Sequence, residues 1–495
     1  MGHFAILPFI IPLCGAAVAV LLRNRRALQA PWALGTLLSS LGVCCYNLWT
    51  VWQTGAPIVF QMGAWAAPFG ISAVADLLSA TMAVMCQLVL LFGLVYALGS
   101  RDESARYPLF LPLFLTLATG LTGGMLTGDT FNLFVFMELL VISACVLTAI
   151  SDDANGVEAA LKYFYISLFA TVLLLIANGA LYVGYGTLNM ADLSQRIATD
   201  PQQPLLWLAV ATLVGTFMIK CAAVPFHFWQ PDLYTAAPTA VSAVLASVVG
   251  KIGVYGLLRC TTLLFVNQAD TIRAGLLILG VVGVTVGALG ALGTHNAKRM
   301  LAYSSLAQIG FMLTGIGWGT AASIAAAVVF MFNHSLIKSA LLMLAGYLAS
   351  RAPVKTAAFD ALHGLGKSAP AAGVLFFVGA MALAGIPPTN GFVSKLMTFS
   401  SGVAAQQWLS LALIGPASML TLVYMFRAFN RIWFETRSDD AKLKPGGDSL
   451  LAPAALIALC LVFGIWAQPL AQVAGDIAAW VLAPARYVAA VLVQQ

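Results

Sequence analysis

The chain is 495 residues long, 61% hydrophobic and only 8% charged, with a mean hydropathy of +0.93; a soluble domain carries about 25% charged residues. Apolar runs long enough to cross roughly 30 Å of hydrocarbon recur from end to end without polar linkers, which excludes a soluble enzyme or a string of soluble domains. The net charge of +6 falls in short loops as expected for the inner side of a membrane, so it does not point to nucleic acid as a partner.

The first apolar run, Phe4 to Leu22, is followed by Arg23, Arg25 and Arg26. A signal peptide has its charges before the run and a small-residue cleavage site after it, so this run is read as a first transmembrane helix. Further spans are predicted at 32–52, 74–98, 107–126, 130–150, 159–183, 204–224, 239–263, 272–294, 300–318, 321–349, 370–386 continuing through 391–405, 408–430 and 451–474. The uncharged, turn-rich segment 53–73 predicts an ordered extramembrane loop or short hairpin. The tail after Gly475, with Asp476 and Arg486, is expected at the interface.

With the N-terminus outside, sixteen lysines and arginines fall on inner loops, among them Lys162, Lys298, Arg299, Lys355, Arg437 and Lys442. Only Arg196, Arg259, Arg273 and Arg486 fall on outer ones. That bias sets the expected orientation. Two spans are broken by proline: MIKCAAVPFHFWQPDLYTAAPTA, with Pro225, Pro231 and Pro238, and LAGIPPTNGFVSKLMTF, with Pro387, Pro388 and Gly391. Non-helical backbone at membrane depth is tolerated where it is buried in protein or lines a wet cavity, and paired breaks in two halves mark inverted-repeat transporters. Lys220 and Lys395 flank the breaks 175 positions apart, and Glu138 and Gln308 lie 170 apart. The expected fold is an all-α membrane protein of about fourteen transmembrane helices, with inverted five-helix repeats over spans 4–8 and 9–13 and broken helices 7 and 12. Its segments are 1–106, 107–263 (first repeat), 272–434 (second repeat) and 451–495.

Ionisable residues inside spans are costly, about 2.5–3.5 kcal/mol each on insertion scales, and mark function by default. Glu138 sits about eight residues from either end of its span. Lys220 directly precedes the first break, Lys251 lies mid-span among Gly250, Gly253 and Gly256, and Lys395 follows the second break. Glycines at that spacing let a neighbouring backbone approach closely. Snorkelling to the interface is the competing account of Lys220 and Lys395. His334 and Lys338 are four apart and share a helix face beside Asn333 and Ser335; an imidazole both accepts and donates a proton at ordinary pH. His227, in the first break near Asp232, fits a role in the break and a proton exit equally well. Ser304 and Gln308 are candidate path-lining residues. His295 and His363 sit beside loop charges as interface residues.

None of the eight cysteines forms a C-x-x-C pair, so neither zinc nor an iron–sulfur cluster is supported. HGLGKS at 363–368 resembles the end of a phosphate-binding loop, but Ala361 stands where the pattern needs glycine. No cofactor or metal is expected.

These residues are familiar together. The chain resembles the antiporter-like subunits shared by respiratory complex I, membrane-bound hydrogenases and Mrp-type multisubunit cation/proton antiporters. The resemblance covers nearly the whole length, through TGDTFNLFVFMELL, KCAAVPFHFWQPDLYTAAPT, SVVGKIGVYGLLR, KRMLAYSSLAQIGFML, FNHSLIKSALLML and GIPPTNGFVSK. The opening LPFIIPL and GTLNMADLS at 186–194 look most like the D-type branch of the Mrp subunits. The resemblance implies fourteen helices, two inverted repeats and a proton path in the membrane plane. It matches Glu138 to the glutamate of the fifth helix, Lys220 to its paired lysine in the seventh, Lys251 to the central lysine of the eighth, His334 to the eleventh-helix histidine and Lys395 to the terminal base of the twelfth. Two departures are Gln308, where many complex I relatives have histidine, and Met137 before Glu138, where an aromatic residue is more usual. Glutamine cannot titrate, so water has to carry a proton past it.

The expected function is that of a proton-translocating subunit of a multisubunit Na+/H+ antiporter in a bacterial inner membrane, a transporter subunit rather than an enzyme, with other membrane subunits as partners. The alternative is the antiporter-like subunit of a complex I or hydrogenase machine. A stand-alone substrate transporter would need a central pocket of substrate-binding groups, against which dispersed single charges argue; a bicarbonate-accumulating pump is a more distant option.

Overall fold

Hydrocarbon offers no partner to an open peptide group, so a chain this apolar must satisfy its backbone within helices. The computed structural model describes residues 2–354, 356–435, 444 and 447–492; Lys355, Arg437 and Lys442 of the inner-loop count lie outside these.

The N-terminal part holds α1 (Leu7–Leu21), α2 (Arg26–Thr54), an antiparallel hairpin of β1 (Ile58–Gln61) and β2 (Ser72–Ala75) with Ile58 opposite Ala75, and α3 (Leu77–Leu98). The uncharged segment after α2 thus forms the expected hairpin. There follow α4 (Phe110–Leu126), α5 (Thr130–Ala149), α6 (Ala154–Tyr185), the short α7 (Met190–Thr199), α8 (Leu206–Lys220), α9 (Trp229–Ala236), α10 (Thr239–Val244) and α11 (Gly250–Arg259). Wide π turns at Leu245–Val249 and Cys260–Leu264 join the last two into one rod, Thr239–Leu264. The remaining helices are α12 (Ala269–Gly293), α13 (Ala297–Trp318), α14 (Ala321–Arg351), α15 (Phe359–Leu362), α16 (Pro370–Ala384), α17 (Asn390–Ala404), α18 (Trp408–Trp433), α19 (Leu451–Ile465), α20 (Gln468–Val481) and α21 (Pro484–Leu492).

Among the described residues, nine helices are long and apolar enough to cross a membrane, or ten if α19 and α20, bent by 75° to each other, form one span. Their ends follow from side-chain chemistry. Asp76, Asp129, Asp153, Asn296 and Thr320 accept hydrogen bonds from the first free amides of α3, α5, α6, α13 and α14. Glycines in the left-handed region at 55, 186 and 319 end α2, α6 and α13.

The rod Thr239–Leu264 and α14 are wholly inside the protein and α13 nearly so, whereas only 33% of the α2 span and 39% of the α12 span are buried. Apolar helices therefore screen three inner helices that carry Lys251, Gln308, His334 and Lys338. Two loop assignments change. Arg259, counted on an outer loop, is the buried last residue of α11, and Lys298, counted on an inner loop, is also buried. Both lie next to long apolar runs, where charge alone marks a boundary too early. The segment after Gly475 is helical, and α20 packs on α14 and α3.

Candidate functional site

The site begins on α5. Glu138 is half-buried, flanked on its helix by the exposed Val135 and Ile142, so this chain alone does not enclose it as the sequence suggests. The hydroxyl of Thr171 on α6 donates to its carboxylate. Lys220, the last residue of α8, is buried, and its Nζ has no hydrogen-bond partner among the described residues. Glu138 and Lys220 act on each other through space, with Cys145 in range of both, and no direct ion pair joins them among the described residues. Thr171 gave no signal beyond its place in an apolar run.

Beyond α8 the path enters the inner rod. Gly253 packs so tightly on α8 that a Cβ there would come within 2.5 Å of the Cys221 nitrogen and 2.6 Å of the Phe217 oxygen. The glycine spacing around Lys251 thus does what the sequence suggests: it brings the lysine's helix against the backbone beside Lys220. Lys251 is fully buried, and its Nζ donates to the Ala246 carbonyl at 3.2 Å, inside the first π turn.

His334 and Lys338 follow on α14. His334 lies within electrostatic range of both Lys251 and Lys338, and neither ring nitrogen has a protein partner among the described residues. Lys338 donates to the Leu301 carbonyl at 2.8 Å and to the hydroxyl of Ser304. Ser304, expected as lining, is thus a direct partner of a buried base.

The last station lies at the second break. α16 ends at Ala384, whose carbonyl is freed by the break, and Lys395 Nζ donates to it at 2.8 Å. Its stem crosses Gly385, where φ is +82° and a Cβ would come within 2.6 Å of the lysine Cδ. Asn333 holds the start of α17 against α14, donating to the Asn390 carbonyl and the Ser394 hydroxyl. Gln308, His334, Ser394 and Lys395 line one small cavity of about 10 Å³, room for about one water. The Gln308 side-chain nitrogen, like the His334 ring nitrogens, has no protein partner among the described residues.

His227 is half-buried in the first break. The neighbouring Asp232 is bound elsewhere, 2.8 Å from both Lys162 and Arg299. That triad stands at a charged vestibule of about 970 Å³ that also takes in Arg101, Glu158 and Lys298. Lys298 Nζ donates to the Ala237 carbonyl at the end of α9. Six expected residues (Glu138, Lys220, Lys251, His334, Lys338, Lys395) thus lie on α5, α8, the rod, α14 and α17, with Ser304 on Lys338 and Gln308 on the cavity shared by His334 and Lys395, while His227 stands in the first break. Such ionisable groups, all but Lys220 set against a carbonyl, a hydroxyl or a small cavity, can pass protons without any covalent chemistry.

Comparison with known proteins fits this geometry. The family described as NADH:quinone oxidoreductase/Mrp antiporter, transmembrane, matches residues 127–421. The chain is 31% identical to the D-type subunit of the Na+/H+ antiporter of Alkalihalophilus pseudofirmus, over 99% of this chain and 100% of that one. Its fold superposes with a TM-score of 0.90 at 27% identity on a chain of the Mrp complex from a Dietzia species, covering 99% and 100% of the two chains. With a chain of an archaeal respiratory membrane complex, the membrane-bound sulfane sulfur reductase, the TM-score is 0.92 at 28% identity, over the same shares.

Proposed function

The chain belongs to the NADH:quinone oxidoreductase/Mrp antiporter family, and we propose that it is the proton-translocating subunit of a multisubunit Na+/H+ antiporter. Protons pass from Glu138 and Lys220 through Lys251, His334 and Lys338 to Lys395. The observation that carries this reading is the cavity shared by Gln308, His334 and Lys395. A water there bridges a histidine and a lysine across the one position where the family's histidine is replaced by a group that cannot titrate. Other membrane subunits are its partners, and full-length similarity to the D-type subunit of a Na+/H+ antiporter supports the cation.

Counting the four shorter apolar helices and the bent pair alongside the nine long ones gives fourteen spans. Matching features support the inverted repeats. Asp129 and Asn296 cap α5 and α13 and form isolated bridges to Asn189 and Ala358. Ala222 and Gly385 hold positive φ at the two breaks. The caps lie 167 positions apart and the two break residues 163, against 170 for Glu138 and Gln308 and 175 for Lys220 and Lys395, so by the caps Glu138 is opposite Ser305, and Lys220 and Lys395 lie on opposite sides of their breaks. The vestibule gathers Arg101, Lys162, Lys298 and Arg299 at one end, which supports an inner side there and an outer N-terminus.

The test is exchange in membrane vesicles. Glu138→Ala and Lys220→Ala should each lower cation-dependent proton exchange at least about a hundredfold, the range of a lost acid–base group, at equal expression. Near-normal exchange by Glu138→Ala would sink the pair. The close likeness to a chain of an archaeal respiratory complex favours one alternative, a component of a redox-driven proton pump; iron–sulfur or flavin proteins co-purifying with the chain would establish it.

A further inference from the structure

Lys251 is followed along its rod by Tyr255 and Arg259, four and eight residues on, so all three fall near one stripe of the helix surface. The stripe runs from the middle of the protein toward the end that carries the β-hairpin. Arg259 has 7% of its side chain exposed, and Asp76, its partner across 2.7 Å, has none. Asp76 is the cap of α3, immediately after β2, and also accepts from the Ser79 amide. Arg259 Nε donates to the Tyr255 hydroxyl at 3.0 Å, and that hydroxyl donates to the Met125 carbonyl at 2.8 Å. The rings of Tyr255 and Tyr487 stand 5.1 and 5.3 Å from the guanidinium carbon. The guanidinium is thus held by one carboxylate, one hydroxyl and two rings.

A buried ion pair is seldom the most stable filling of a core, since desolvation offsets much of the attraction. Its position is informative here. A proton moving from Lys251 toward the hairpin end meets the Tyr255 hydroxyl, already committed to a carbonyl, and then a guanidinium. Arginine has five donors, no acceptor, and does not release its proton at any accessible pH. A fixed guanidinium in a narrow passage turns donors toward the approaching proton and repels its charge, as arginine does in pores that exclude protons.

We propose that Arg259, held in place by Asp76, seals the hairpin end of the protein against protons. Lys251 then exchanges protons only sideways and toward the vestibule, and a proton reaching it continues to His334 instead of escaping. This rests on the relay reading above, but the seal has its own readout. The relay is measured as cation-driven exchange, the seal as passive decay of an imposed pH gradient with no cation gradient and the voltage clamped by valinomycin and potassium.

In vesicles holding the assembled complex, the double variant Asp76→Asn with Arg259→Met removes both charges together, so neither is left buried alone. It should speed passive decay by about tenfold or more, the loss of a unit-charge barrier at close range. Tyr487→Leu removes one ring packed on the guanidinium but keeps the ion pair and should stay within about twofold of the unaltered complex, since the charge barrier is unchanged. An assembled double variant as tight as the parent overturns the proposal. So does a Tyr487→Leu variant that leaks by about tenfold, because packing rather than the guanidinium would then be the seal; this arm decides even if the double variant does not assemble. Adding Lys251→Met to the leaking double should restore tightness. A leak that survives it would contradict the relay through Lys251 while leaving Arg259 as the seal.

Discussion

The two ends of the proposed proton line hold their lysines in opposite ways. At the first, Lys220 has no hydrogen bond of its own among the described residues, and the nearest opposing charge, Glu138, is half-buried and tied to Thr171. At the second, Lys395 is bonded to a carbonyl that the helix break itself supplies, and it shares a water-sized cavity with His334. An amine without a fixed partner is governed by charge and answers to any change near Glu138. An amine seated on a carbonyl is governed by backbone and answers to geometry. The first end is thus suited to receive a signal from a neighbouring subunit, and the second to deliver a proton at a fixed place.

Substitutions at four positions test that contrast, beginning with the largest effect. If Lys395 delivers the proton, Lys395→Ala should abolish net exchange by at least about a hundredfold. Lys395→Arg should be poor, because arginine keeps its proton. Full activity in Lys395→Gln would show that the stem's packing is all the site needs and would remove it from the path. A smaller loss is expected at Gln308. Its side chain supplies one of the few polar groups on the shared cavity, so Gln308→Leu should lower exchange by about tenfold, the worth of roughly one hydrogen bond. Gln308→His should retain or raise exchange; equal rates for leucine and glutamine would take the cavity out of the path.

The smallest effect compares the breaks directly. Both hold a residue in the left-handed region, Ala222 at φ +56° and Gly385 at φ +82°, but only Gly385 has a lysine stem across it. Gly385→Ala should destabilise by about 1–2 kcal/mol from backbone alone and reduce exchange severalfold by displacing Lys395. Ala222→Gly exchanges relief of that strain for chain entropy and should stay within about 0.5 kcal/mol. Thermal stability of the purified complex measures both, and equal loss at the two positions would erase the distinction between the ends.

The apolar runs, both breaks and the hairpin were legible because each leaves a local mark: run length, proline, or turn residues without charge. Lys220, Lys251, His334, Lys338 and Lys395, all buried, were legible as candidates because an ionisable group in an apolar run is conspicuous. Partners set by long-range packing were not. Thr171 lies 33 residues from Glu138, in a run where a threonine carries no information. Arg259 reads as a loop charge because its partner Asp76 is 183 residues away, although its spacing of four residues from Tyr255 and eight from Lys251 was visible. Nor does sequence reveal which carbonyl a buried lysine will find, since Ala246 and Ala384 differ from other alanines only through the backbone that holds them.

That backbone includes the π turn Leu245–Val249, just ahead of Lys251. A turn of this kind holds one more residue than an ordinary turn, and each residue rotates a helix by about 100°. Removing a single residue from this stretch would let the rod close into regular α-helix while swinging Lys251, Tyr255 and Arg259 together by about a quarter-turn or more. The bearing of these three side chains is therefore set by chain length in the same turn that offers Lys251 the Ala246 carbonyl. When relatives are aligned, a one-residue gap between 244 and 250 is a change of direction for everything beyond it.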